Sequence, residues 1–506
     1  MLATVLSGGV TGIDGYIVRV EADVSRGLPS FATVGLGDSA VREGRDRVAS
    51  AIRNSGFTFP LDRITINLAP ADVRKEGAGF DLPIALGLLA ATGQVDPSML
   101  SRLLVVGELA LDGTTRGVNG VLPLAVAAGG EGLKGIVLPS ENAREAEGQQ
   151  ALRVLPVKDL RGAVRVLKGG PPDEPEGRRG SPREPSRHVD LSEIGGQAHA
   201  KRALEIAAAG GHNLLMVGPP GVGKTLLARA LPGVLPRLTR EESVVVTTIH
   251  SVAGVLPRGS GLLCERPFRA PHHTVSFAGL VGGGRIPRPG EVSLAHAGVL
   301  FLDEIAEFRR DALEALRQPL EDGATTVTRA AASATFPAEF SLVASMNPCP
   351  CGNLGHPTKP CTCPPSSVRR YLNKVSGPVM DRIDVQVQLP PPTFEELSPG
   401  PRGEPSNEAR VRVLRAREIQ ARRWRQCRTP TNARVPAALL TEQVGLRGRA
   451  RVLLRRAVSE LGMSARSYHK VLRIARTIAD LDGEERLGDV HVAEAVQYRS
   501  MDRGTP

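Results

Sequence analysis

The chain has 506 residues, 41% apolar and 23% charged, a globular balance on a length that calls for about two to four domains rather than one core. That composition excludes global disorder, and no apolar run is long enough for a membrane-spanning helix. The net charge of +11 leaves two readings open: attraction to a polyanion by phosphate neutralisation, or a compositional preference for arginine. Met1 opens on the strand-like segment MLATVLSGGV without a preceding basic stretch, so no signal peptide, no membrane partner and a cytoplasmic location are expected.

Residues 1–168 read as a mixed α/β region. ITINLAP (64–70) and LLVVGELAL (103–111) have the look of strands, and LPIALGLLAATG (82–93) that of a buried helix. Residues 169–188 are rich in proline, glycine and charge and read as a linker. Over residues 189–391 apolar strands alternate with helical segments, the pattern of a doubly wound α/β domain. A second proline-rich stretch, 392–406, is expected to be a boundary, and 407–506 are helical by period.

The strongest signal lies in NLLMVGPPGVGKTLLARAL. An apolar strand runs into Gly218, Pro219, Pro220, Gly221, Val222 and Gly223, then Lys224 and Thr225 open a helix, which is P-loop spacing in its required context. Backbone amides freed by the glycines can approach phosphate oxygens, and the helix N-terminus adds positive potential. Lys224 is expected to neutralise the β- and γ-phosphates of ATP, and the Thr225 hydroxyl to bind Mg²⁺. Downstream, GVLFLDE carries a buried strand into two carboxylates. Asp303 is expected to hold the magnesium shell and Glu304 to orient or deprotonate the attacking water. In FSLVASMNP a third buried strand ends at Asn347, either a γ-phosphate or water sensor or an ordinary turn residue before Pro348.

Four of the six cysteines form two close pairs, Cys349-x-Cys351 and Cys361-x-Cys363, in a proline- and glycine-rich loop. They suit tetrahedral Zn²⁺, although one-residue spacing within a pair is tighter than usual; unligated reduced thiols are the alternative. Cys264 and Cys427 read as incidental, and His272 and His273 as loop histidines. The segment 407–428 has eight arginines between Arg410 and Arg428 and the single tryptophan, Trp424. It is either a solvated helix or a surface for DNA or a neighbouring subunit.

The P-loop, RPFRAPHHTVS, GGGRIPRPGEVSLAHAGVLFLDE, LFLDEIAEF and ASMNPCPCG together resemble the magnesium-chelatase-like AAA+ ATPases, ComM/YifB branch, over nearly the whole chain. The resemblance implies a P-loop AAA+ module with a helical C-terminal lid, preceded by a Lon-protease-like α/β domain. It implies a ring-forming, hexameric class of ATP-driven DNA motor of helicase or branch-migration type, linked to natural transformation. On the same resemblance, SGPVMDRID (376–384) points to Arg382 as an arginine finger. MSARSYHKVLRIARTIADL (463–481) points to Arg466 on the sensor 2 helix, within a basic stripe of Arg466, Lys470 and Arg473, a solvated charged face being the alternative. The stretch 281–290 reads as a loop in the structure that the family inserts before the strand of Asp303, with Arg285 and Arg288 among glycines, and the hairpin 326–340 resembles one that related motors push into their central pore. Arg285, Arg288 and Arg329 are then candidate DNA contacts, with an ordinary hairpin bearing an exposed arginine as the alternative for Arg329. Where Lon carries its catalytic serine this chain reads Glu76-Gly77-Ala78-Gly79-Phe80-Asp81, and the lysine position falls at about Leu122. The copy is therefore expected to be non-catalytic. Rival readings are a chelatase motor subunit acting on a porphyrin-binding partner, an ATP-dependent protease and a scaffold.

Overall fold

The structure is a computed structural model. It describes residues 1–506 except Asp72, Arg74, Glu76, 177–188, Arg285, Ile286, Ala330, Ala331, Ser376, 394–402, Gly445, Arg447 and 500–506.

The N-terminal sheet begins with β1 (Leu2–Thr11) and β2 (Asp14–Ser25), a long antiparallel hairpin, followed by β3 (Ser30–Val34) and β4 (Arg63–Ala69). In β4, Ile64, Ile66 and Leu68 are buried and alternate with more exposed residues, the period of a strand with one covered face. The run 103–111, expected as strand, divides into β5 (Leu103–Val105) and β6 (Glu108–Leu109), the latter paired with β7 (Thr115–Arg116) in a separate ribbon. With β8 (Gly135–Pro139) and β9 (Arg153–Val157) the main sheet has the order β3-β4-β2-β1-β5-β8-β9. Helix α1 (Ser39–Asn54) covers α2 (Asp81–Ala91), which lies on β1 and β2 and is buried throughout. Its one carboxylate, Asp81, takes Arg47 Nε at 2.7 Å, yet burial pushes its pKa up to about 6. Helix α3 (Val121–Gly130) packs on the other side, against β2.

The expected linker is tied down over its first residues. Asp173 N donates to Pro156 O at 2.9 Å and Glu176 N to Ser140 O at 3.0 Å, so this stretch follows the edge of the first sheet.

The second sheet is wholly parallel, in the order β11-β14-β17-β10-β18. Its strands are β10 (Leu214–Val217), β11 (Phe268–Arg269), β14 (Val299–Leu302), β17 (Ser341–Met346) and β18 (Val385–Gln388). Continuous apolar runs such as VLFL are what a sheet buried on both faces demands. Helices α4 (Ala198–Gly210), α5 (Lys224–Val234) and α6 (Arg240–Val252) belong to this module. Two ribbons project from it. The stretch 281–290, expected as a loop, forms the small hairpin β12 (Gly282–Gly283) and β13 (Arg288–Pro289). The expected hairpin over 326–340 is β15 (Ala324–Arg329) with β16 (Ala332–Pro337).

After β17 come α7 (Pro365–Leu372) and α8 (Gly377–Met380), and after β18 the helical region: α9 (Ser406–Arg423), α10 (Ala437–Val444), α11 (Gly448–Leu461), α12 (Ala465–Leu481) and α13 (Asp489–Gln497). The arginines of α9 are neither simply solvated nor turned wholly outward. Arg410 Nε donates to Gly233 O at 2.8 Å, Arg417 Nη2 to Ala208 O at 2.7 Å, Arg412 Nε to Glu205 at 2.5 Å, and Arg423 pairs with Asp480 at 2.7 Å. Arg410 and Arg417 satisfy carbonyls near the ends of α5 and α4, and these two with Arg412 fasten the lid to the P-loop module, whereas the Arg423 pair lies within the lid. Trp424 is fully buried and donates through Nε1 to Asn432 at 2.8 Å. The expected basic stripe of α12 is corrected likewise. Lys470 is buried and donates to Ile383 O at 2.8 Å, and Arg473 donates to Val435 O at 2.7 Å, leaving only Arg466 of the three exposed.

The two sheets are joined through α6. Ser251 Oγ donates to the buried carboxylate of Glu145 at 2.5 Å and accepts Gly120 N at 2.8 Å, while Arg240 Nη2 donates to Gly148 O at 2.9 Å. Among the described residues no helix is long and apolar enough to cross a membrane.

Candidate nucleotide site

The crevice beyond the carboxyl ends of a parallel sheet is where such folds bind ligands. Here β10, β14 and β17 bring together the P-loop, Asp303 with Glu304, and Asn347, because β17 is hydrogen-bonded to both other strands. Gly221 and Gly223 have φ of +81° and +90°, conformations that favour glycine, and Gly223 caps α5. Lys224 opens that helix. Its Nζ donates to Pro219 O at 2.9 Å and to Asn347 Oδ1 at 3.0 Å. Burial lowers its pKa, opposed by the charges of Asp303 and Glu304.

Thr225 Oγ1 donates to Asp303 Oδ2 at 3.0 Å. A hydroxyl and a carboxylate that converge in this way are hard oxygen donors suited to a shared Mg²⁺. The other Asp303 oxygen accepts the hydroxyl of Ser345, which in turn accepts Glu304 N at 3.1 Å. Glu304 is exposed toward the crevice end of β14 and has φ of +52°, a conformation disfavoured for a side-chain-bearing residue. Such strain persists where surrounding contacts over-determine it, and the amide bond to Ser345 is one of those contacts.

Arg382 and Arg466 stand apart from this cluster. Arg382 pairs with Glu321, not with Asp381 or Asp384, while Arg466 Nη1 pairs with Asp381 at 2.7 Å. The two guanidiniums are close enough that Arg466 lowers the pKa of Arg382, after burial. The two lie near each other, each in its own ion pair, and at the opposite end of β10 from the P-loop, where Asn213 Nδ2 donates to Arg382 O at 2.8 Å.

The arginine-bearing ribbons lie side by side. A methyl group on Gly283 would come 3.4 Å from Arg329 Nη2, and one on Gly282 would come 3.2 Å from Val327. Arg288 and Arg329 are both exposed; Arg285 lies outside the described residues. Behind the second ribbon, Val327, Ala334 and Phe336 pack against Ile13 at the β1–β2 turn.

Beyond Asn347 the four cysteines converge. Cys349 Sγ lies 3.4 Å from Cys351 Sγ and 3.6 Å from Cys361 Sγ, and all four sulfurs fall within 4.8 Å of one another. Amides of Asn353 and Thr362 lower the pKa of the Cys351 thiol to about 6. Tyr371 of α7 meets the backbone of Asn347, and burial pushes its hydroxyl up to about 12. Cys264 is exposed and Cys427 half-buried, away from the cluster.

Sequence reasoning missed Ser345, Glu321 and Tyr371. Ser345 left one trace: a buried hydroxyl next to the end of the strand, among the buried apolar residues 342–346, one strand away from Asp303.

Comparison with known proteins bears on the whole chain. Family models for magnesium chelatase subunit ChlI match residues 190–397 and 20–142, and the model of its C-terminal region matches 403–499. The competence protein ComM of Haemophilus influenzae is 44% identical over 507 residues, covering 99% of this chain and 98% of that protein. The uncharacterised protein YifB of Escherichia coli is 42% identical, covering 99% and 98%. Lon protease 2 of Bacillus subtilis is 32% identical over 148 residues, 28% of this chain and 26% of its own. The N-terminal sheet is thus Lon-like; Leu122, at the start of α3, is buried, and Ala78 is half-buried. Family membership implies ATPase activity. With its parallel P-loop sheet, Lon-like first domain and helical lid, the chain belongs to the magnesium-chelatase-like AAA+ family, in the ComM/YifB branch.

Proposed function

We propose that this ATPase is a ring-forming motor that moves on DNA, a homohexamer of helicase or branch-migration type serving DNA uptake and recombination. The name of the Haemophilus influenzae relative, a competence protein, supports the process. The observation that carries the DNA reading is the pairing of two exposed ribbons, with Arg288 on one and Arg329 at the tip of the other. The Arg329 ribbon continues through β16 into β17, and the residue after β17 is Asn347, which accepts a hydrogen bond from Lys224. Movement at the γ-phosphate can thus be passed along one short stretch of chain to a DNA-facing tip.

In hydrolysis, Lys224 exchanges its carbonyl partners for phosphate oxygens, and Asn347 keeps it in line. Thr225 and Asp303 hold Mg²⁺, which supplies positive charge to the transferring phosphoryl group. Glu304 positions and deprotonates the water. Arg382, with Arg466 beside it, serves the nucleotide of a neighbouring subunit. Cys349, Cys351, Cys361 and Cys363 hold a structural zinc ion.

The test is fluorescence anisotropy on labelled single-stranded and forked DNA, with a non-hydrolysable ATP analogue, across a salt series. Binding should be sequence-tolerant and steeply salt-sensitive, because arginines on loops meet phosphates rather than base edges. Arg329→Ala should weaken it, and its salt slope should be shallower by about 0.9 for each phosphate that the arginine no longer neutralises. No binding at low salt by an assembled ring would refute the DNA reading and leave the motor subunit of a porphyrin-binding partner, for which the family's name speaks.

A further inference from the structure

We propose that a zinc ion on the four cysteines braces the phosphate loop from outside and thereby sets the affinity for nucleotide; the inference rests on the zinc reading above. The sulfur geometry is that of a tetrathiolate site. Sulfurs about 2.3 Å from one zinc ion at tetrahedral angles lie about 3.8 Å apart. The observed separations of 3.4 and 3.6 Å are close to that value and far from the bonded distance of about 2.05 Å in a disulfide. Backbone amides complete the surroundings: Leu354 N donates to Cys349 Sγ at 3.3 Å and Cys351 N to Cys363 Sγ at 3.4 Å. Outer hydrogen bonds of this kind orient metal ligands and hold negative charge on them.

The position of the cluster gives it a further role. Cys349 is fully buried and stands two residues after Asn347, the partner of Lys224. Gly352, inside the loop that the cysteines close, rests on the phosphate loop itself: a methyl group there would come 2.7 Å from Pro220 Cδ. Its φ of +80° also favours glycine. Between β17 and α7 the chain has neither helix nor strand, so the metal is the cross-link that would hold this proline- and glycine-rich segment against its own conformational entropy. The braced segment touches the P-loop at Pro220 and carries Asn347 at its base. Releasing the metal frees both, and the nucleotide site loses its support on the side of Lys224.

The experiment uses the full chain, purified under reducing conditions without chelator. Metal analysis should give one zinc per chain, absent from Cys351→Ser with Cys361→Ser. Titration with a fluorescent ATP analogue should show that this zinc-free variant, still folded by circular dichroism, binds about tenfold more weakly. Gly352→Ala supplies the second arm, because it keeps all four thiols: it should retain zinc and the fold, with some loss of melting temperature from the left-handed backbone, while losing nucleotide affinity similarly. Wild-type protein without zinc would overturn the metal site. Zinc present, with nucleotide affinity unchanged in folded zinc-free protein and in Gly352→Ala, would leave the metal site standing and overturn the brace. Should the cysteine variant fail to fold, Gly352→Ala decides alone, unchanged affinity refuting the brace.

Discussion

Replacing Ser345 by alanine is the most direct probe of how the water-activating end of the site is built. The Ser345 hydroxyl donates to one oxygen of Asp303 and accepts the amide of Glu304 at 3.1 Å, so one side chain fixes the metal-binding carboxylate and the strained backbone of its neighbour. A hydrogen bond to a charged group contributes about 1.5–3 kcal/mol. If that is expressed mainly in the transition state, where Asp303 and Glu304 must both be aligned, kcat falls roughly ten- to a hundred-fold at about 1.4 kcal/mol per decade. Nucleotide affinity should hold within about threefold, since Lys224 keeps its bonds to Pro219 and Asn347. Ser345 is fully buried, so removing the hydroxyl leaves only a small void and the fold should survive. Steady-state hydrolysis at saturating magnesium and binding of a fluorescent ATP analogue read the two quantities separately. A Ser345→Ala enzyme with kcat within about twofold of wild type would show that the Asp303–Ser345–Glu304 bridge does not position the catalytic groups.

Lys224→Ala should lose nucleotide binding, whereas Glu304→Gln should bind ATP without turnover; near-normal hydrolysis by the latter would remove Glu304 as the catalytic carboxylate. Arg382→Ala should bind ATP but not hydrolyse it, and mixing it with Glu304→Gln should restore part of the activity; mixed rings that stay inactive would argue against a finger acting across the interface. Ile13→Ala removes half-buried apolar surface behind the Arg329 ribbon and should cost about 1–2 kcal/mol of local stability, less than truncation of a fully buried isoleucine. Basal hydrolysis should hold while DNA-stimulated hydrolysis falls, and equal stimulation in both proteins would separate the N-terminal domain from the ribbon's function.

The P-loop and the Asp303–Glu304 pair were legible because local pattern and chemistry coincide there. Buried strands in a parallel sheet must be apolar along their length, so a charged residue at the end of one stands out. Ser345 was not legible, because a lone serine in such a run reads as a tolerated small residue until the neighbouring strand is known. The stripe on α12 was misread for a related reason. A helical period gives the spacing of Arg466, Lys470 and Arg473 but not which of them meets the carbonyls of Ile383 and Val435. The arginines of α9 show the same limit, since their partners on α4 and α5 are distant in sequence, 209 residues away for Arg417 and 177 for Arg410. The cysteine cluster was half legible: the spacing named the candidate ligands, and only the fold shows the loop between them resting on Pro220 at Gly352.

The ion pairs of Arg382 with Glu321 and of Arg466 with Asp381 decide how easily a chain can offer these groups to a neighbour. All four side chains are partly exposed, Arg466 and Asp381 the most, at 66% and 46%. Pairs of this kind are worth about 0–1 kcal/mol each, because water and salt screen them. A guanidinium released from such a pair can therefore move to the phosphate of an adjoining nucleotide at little cost, where charge-assisted bonds to phosphate are considerably stronger. Glu321→Gln tests this ordering. It removes the resting partner of Arg382 while keeping the side-chain size. With at most about 1 kcal/mol at stake, kcat of the assembled ring should change by less than about fivefold, in contrast to the loss expected for Arg382→Ala. A Glu321→Gln ring as inactive as Arg382→Ala, with oligomer formation and ATP binding intact, would mean that the pair itself belongs to the active arrangement. Arg382 would then act where it now stands, as part of its own chain's framework and not as a group lent to the next subunit.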